Sequence, residues 1–74
     1  MKFVIVGYGR VGTRTARVLQ SEGHDVVIVE RDHEKVSRAE DAGFDVVDGD
    51  GSEESTLAAA GVDTADAIGA LTGD

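Results

Sequence analysis

Cysteine and proline are both absent from the 74 residues. Without cysteine, no disulfide and no thiolate metal site can staple the chain, and the composition fits a cytoplasmic protein. Without proline or a low-complexity stretch, nothing marks an internal boundary, so the chain amounts to one domain or part of one. Positive charge is scarce too: 7 Lys and Arg stand against 15 Asp and Glu, for a net charge of −8. A general basic surface for nucleic acid is therefore excluded. No apolar run approaches the length of a membrane span, and the N-terminus enters a strand pattern directly. Neither a span nor a signal peptide is expected. Aromatic residues make up only 4% of the chain. A domain this short buries only about 60% of its unfolded surface, so its stability margin is narrow.

The acids are spread along the chain rather than gathered in a tail, Asp outnumbers Glu, and Arg outnumbers Lys. That balance reads as adaptation to high salt, where repulsion among surface charges is screened.

What is present is an alternation of two periodicities. Apolar, β-rich runs occur at "KFVIV" (2–6), "DVVIVE" (25–30), "FDVV" (44–47) and, interrupted by Gly69, "DAIGALT" (66–72). Between them lie helical patterns. Residues 10–22 place Val11, Thr15, Val18 and Leu19 on one stripe and Arg10, Arg14 and Arg17 on another. Residues 33–42 follow Asp32 as an N-cap, and residues 53–60 follow Ser52 as an N-cap. Gly23, Gly43 and Gly61 close the three helices. Strands alternating with helices predict a parallel α/β sheet, Rossmann-like, with helices on both faces and strand order 3-2-1-4. A doubly wound nucleotide fold usually has about six strands. Four therefore predict the first half of such a domain, or self-association along the exposed fourth strand.

"VIVGYGRVG" holds Gly7, Gly9 and Gly12 in a G-x-G-x-x-G that leaves a strand and opens a helix. Gly7 permits the tight turn, Gly9 lets the backbone approach a pyrophosphate, and Gly12 lets the helix pack closely on the strand. Amides at the helix start face the anion. Glu30 closes the second strand at the spacing that the motif requires. Its carboxylate can accept from both ribose hydroxyls and repels a 2′-phosphate, which favours NAD or another adenosine nucleotide. Arg31 either stacks on adenine or accommodates an extra phosphate. Arg10 either reaches a phosphate or carboxylate or is solvated, and Tyr8 is expected to shield the site.

"DGDGSEES" (48–55) alternates acids as a calcium loop does. Counted from Asp48, however, positions six and twelve hold Glu53 and Ala59 instead of the Gly and Glu that such a loop needs. The alternative is a strand-to-helix turn at the carboxyl edge of the sheet, where ligands of parallel sheets bind. There Asp50 can accept from an adenine amino group, with Gly51 beside it and Ser52 capping the helix. Thr72 and Gly73 end the fourth strand at the same edge. No nucleophile–base–acid set, metal triad or phosphate-binding lysine motif accompanies them.

Together, "MKFVIVGYGRVG", "LQSEGHDVVIVERD" and "VVDGDGSEESTLAAAGVDTADAIGALTGD" resemble the N-terminal nucleotide-binding domain of Trk-type potassium-uptake regulators, the TrkA-N, KTN or RCK domain. The resemblance implies binding of NAD(H), or of ATP or ADP, and regulation of a membrane potassium-transporter subunit from its cytoplasmic face. It implies that the Gly7–Val11 loop holds the diphosphate, Glu30 the adenosine ribose and Asp50 the adenine, with Thr72 and Gly73 at the strand-four end. The family domain continues for two more strands. Besides such a regulatory module, the residues fit the nucleotide half of an NAD-dependent oxidoreductase, or an interaction module that binds no ligand.

Overall fold

The computed structural model describes residues 1–71. Strand β1 (Lys2–Val6) lies between β2 (Asp25–Glu30) and β4 (Ala67–Ala70), and β3 (Asp45–Asp48) pairs with β2. All pairings are parallel and the order is β3-β2-β1-β4, so the Rossmann-like topology expected from the sequence is present. Helices α1 (Arg10–Ser21), α2 (His33–Asp41) and α3 (Glu54–Ala60) connect successive strands. A single 3-10 turn, Val62–Thr64, follows α3; the periodicity did not signal it.

The sheet separates two cores because neighbouring residues of a strand point to opposite faces. On one face, Ile5 and Ile28 pack with Ala16 of α1, Ala39 of α2 and Phe44. On the other, Val4 and Val29 pack with Ala60 of α3. Strand β2 is buried along most of its length, which explains its almost continuous apolar run. Helix α3 lies over β2 and β3. Ile68 of β4, in register with Val4 on that same face, stays 54% exposed.

The buried face of α1 differs from the expected one. Gly12 and Ala16 are its buried residues and Leu19 packs beside them, whereas Val11 and Val18 are about half exposed. The small residues face the sheet because the helix starts immediately after β1 and has no room for a large side chain there. An ideal Cβ on Gly12 would collide with the backbone carbonyl of Gly7.

The caps are mixed. Asp32 accepts from the amides of Glu34 (3.0 Å) and Lys35 (3.3 Å), as a capping aspartate should. Ser52 does not cap α3. The N-cap residue of that helix is Glu53, and no side chain bonds its first turn.

Candidate functional site

Three chain turns meet at the carboxyl edge of the sheet: β1 to α1, β2 to α2, and β3 to α3. Backbone bonds tie them together, with the Gly7 amide donating to the Val29 carbonyl at 2.8 Å and the Gly49 amide to the Glu30 carbonyl at 3.0 Å. Gly7 takes φ 107°, a left-handed turn that a side chain would strain.

Glu30 is the hub of this edge. Its side chain is buried, and its Oε1 accepts from the Tyr8 amide at 2.8 Å. Its Oε2 accepts from the amides of Arg31 (2.9 Å) and Asp32 (2.8 Å). One carboxylate thus fixes both the glycine loop and the β2–α2 turn. Two donors occupy Oε2 and one occupies Oε1, so Oε1 retains spare acceptor capacity.

Between the three turns lies an open cleft of about 560 Å³. Gly7, Gly9, Glu30 and Arg31 line it on the glycine-loop side, and Asp50, Gly51 and Ser52 on the β3–α3 side. Lys35 of α2 also lines it, a residue that sequence reasoning did not single out. Its signal was available: Lys35 stands in the first turn of the helix that the Asp32 cap starts at this edge.

Asp50 organises its own turn. Its Oδ1 accepts from the Ser52 amide at 2.9 Å and the Ser52 hydroxyl at 2.8 Å, while Oδ2 lies 3.5 Å from the Arg31 guanidinium. The bonds from the Ser52 amide and hydroxyl, and then the Arg31 charge, hold the Asp50 carboxyl below the ordinary aspartate range. Arg31 and Asp50 reach toward each other from the β2–α2 and β3–α3 turns. That pair is exposed, so it contributes little to stability.

Other expected site residues lie elsewhere. The Tyr8 side chain does not shield the cleft: it is 4% exposed and meets Phe44 edge-on, ring centres 5.9 Å apart, in the core. Only its amide serves the site, through Glu30. Arg10 and Val11 are exposed in the first turn of α1 and Gly12 is buried beneath the loop; none of the three lines the cleft. Thr72 and Gly73 lie outside the described residues.

A parallel sheet in this order, with a glycine loop opening α1 and a buried acid ending β2, defines a Rossmann-type domain of the mononucleotide half-fold class. The profile of the TrkA-N domain matches residues 3–74, and the chain belongs to that family. A Trk system potassium uptake protein TrkA homolog of Pyrococcus abyssi is 43% identical over 75 residues, which take in 99% of this chain and 33% of that protein. Trk system potassium uptake protein TrkA of Streptomyces coelicolor is 37% identical over 73 residues, or 97% of this chain and 33% of that one. The chain thus spans a third of the length of both relatives. Among solved structures, the anaerobilin reductase ChuY of Escherichia coli O157:H7 superimposes with a TM-score of 0.79 at 29% identity, over 100% of this chain and 38% of that one. The Kef C-terminal domain of Shewanella denitrificans, in AMP-bound form, gives 0.78 at 28% identity, over 92% of this chain and 40% of that one. No helix among the described residues is long and apolar enough to cross a membrane.

Proposed function

We propose that this chain is the adenine-nucleotide-binding part of a regulatory protein of a potassium-uptake system. In this reading it binds NAD, or NADH, ATP or ADP in the same cleft, and passes the ligand's state to a membrane potassium-transporter subunit. It acts at the cytoplasmic face and as a homo-oligomer, and it has no catalytic role. The observation that carries the reading is the joining of the glycine loop to Glu30 through the Tyr8 amide, beside a cleft large enough for an adenosine. The TrkA relatives supply the transport context, and the AMP-bound Kef domain is a structural neighbour with an adenine nucleotide.

The residues present fit such a ligand. Oε1 of Glu30 accepts one ribose hydroxyl. The amides opening α1 attract the diphosphate, helped by a first turn that carries no acid. Arg31 offers its guanidinium plane to the adenine, and Asp50 offers Oδ2 to the adenine amino group, so base binding replaces the Arg31–Asp50 contact. Bound nucleotide regulates only through unequal affinity for two arrangements of the assembly.

Calorimetry with NAD, NADH, ATP, ADP and AMP side by side tests the reading. Binding of at least one of them, weakened about 10- to 100-fold by Glu30→Ala, is the expected result; loss of a charged hydrogen bond predicts that range. Absence of binding by all five to the chain and to its full-length parent refutes it. The likeness to the anaerobilin reductase favours a second reading, the nucleotide half of an NAD-dependent oxidoreductase. Hydride transfer from NADH by the parent protein would establish that one instead.

A further inference from the structure

Charge is segregated in this molecule. Helix α1 carries Arg10, Arg14 and Arg17 and no acid, whereas from Glu40 to Leu71 there is no Lys or Arg at all. Arg14 and Arg17 are three residues apart and stand with Val18 on the outer side of α1, and Val18 is 51% exposed. Among the described residues, no carboxylate pairs with Arg14 or Arg17. The outer surface of α1 is therefore basic with an apolar centre.

Its complement lies across the sheet. Helix α3 and the 3-10 turn enclose a shallow groove of about 320 Å³. Half-buried Leu57 and Val62 form its apolar wall with Ala58, and exposed Glu54 and Asp63 form its rim. An apolar groove with an acidic rim matches an apolar ridge with a basic rim in both chemistry and sign.

The two patches cannot meet within one molecule, because α1 packs on the Ile5 face of the sheet and α3 on the Val4 face. For the same reason a two-fold dimer cannot engage both patches of both copies at once. Contact between them is head-to-tail. We propose that α1 of one copy docks in the α3 groove of a second copy. Arg14 and Arg17 face Glu54 and Asp63, and Val18 enters against Leu57 and Val62. This interface is independent of nucleotide binding, since none of these residues lines the cleft between the strand ends.

Sedimentation velocity of the chain across a concentration series tests it, with circular dichroism to verify folding. The wild type is expected to associate past the dimer, because a head-to-tail contact leaves one patch free at each end. Arg14→Glu with Arg17→Glu, or Glu54→Lys with Asp63→Lys, weakens association at least about tenfold, since each places like charges opposite one another. Combining all four changes restores it. Val18→Asp gives a second route to the same weakening from a half-exposed position on the outer side of α1, with circular dichroism to verify that the fold is kept. A wild type that stays monomeric, indifference to both reversals, or failure of the combined variant to recover overturns the proposal. So does binding of the arginine face to anionic lipid vesicles in place of self-association.

Discussion

Glu30 is the residue through which folding and ligand recognition act on each other. It is the sole buried acid among the described residues, and it holds three backbone amides from two turns. Removing it leaves those donors without their acceptor. Glu30→Ala is therefore expected to lower unfolding free energy by about 2–3 kcal/mol, the range for hydrogen bonds to a charged group, even without nucleotide. Urea denaturation measures it, and a loss below about 0.5 kcal/mol would show that the hub is dispensable. Ser52 makes the opposite case. A true helix cap costs about 1 kcal/mol when changed to alanine. Ser52 bonds Asp50 rather than the first turn of α3, so Ser52→Ala should leave the helix intact and act on Asp50 instead. The folded Asp50 carboxyl lies below its unfolded value, so its contribution is present above the ordinary aspartate pKa of about 3.9 and fades as pH falls through the lowered folded value. Loss of the hydroxyl bond shrinks that shift, so the contribution is smaller and its fading is complete at a higher pH. A carboxyl titration followed by NMR should show the Asp50 midpoint moving up in Ser52→Ala, and an unchanged midpoint would contradict the assigned cause.

At the scale of elements, legibility followed how much a segment depends on its own residues. Strands β1 and β2 stand at the expected boundaries because both are short runs that are apolar almost throughout, and α2 begins at His33, just after Asp32, because its cap is a local bond. The glycine loop and Glu30 were readable because each is fixed by spacing. The buried face of α1 was not. Apolar periodicity gives weight to large side chains and so favours Val11 and Val18, but the close approach of α1 to the glycine loop admits only Gly12 and Ala16. For a similar reason Tyr8, read as a loop residue, proves to be core: the turn at Gly7 aims it inward at Phe44, a contact across the chain that no local pattern carries. Ser52 was misread because two donors close a turn on Asp50 two residues back, which competes with capping the helix ahead. The α1 assignment has a direct consequence. Ala16→Val overfills a site with no exposed surface and should cost about 1–3 kcal/mol. Val18→Thr, on the exposed side, should stay within about 0.5 kcal/mol at concentrations too dilute for association. Thermal melts of the two variants decide the face, and equal losses would return Val18 to the core.

For the whole molecule, charge sets two responses to salt that oppose each other. A net charge of −8 on a domain of 74 residues disfavours the compact state through self-repulsion, most strongly in the base-free stretch from Glu40 onward. Screening that repulsion stabilises the fold. The Debye length falls from about 10 Å at 0.1 M to about 3 Å at 1 M, so exposed charges farther apart than that are largely screened. The melting temperature of the dilute chain should therefore rise steadily from 0.1 M to molar KCl, as the aspartate-rich composition implies for a protein adapted to high salt. Contact between the arginine ridge of α1 and the acidic rim of α3 depends on attraction between opposite charges, which the same salt screens. Self-association should therefore weaken over that range. Melting at two protein concentrations separates the effects, because self-repulsion within one chain is independent of concentration and docking is not. A melting temperature that does not rise with salt at low concentration would exclude charge repulsion as the factor limiting stability and, with it, the high-salt reading of the composition.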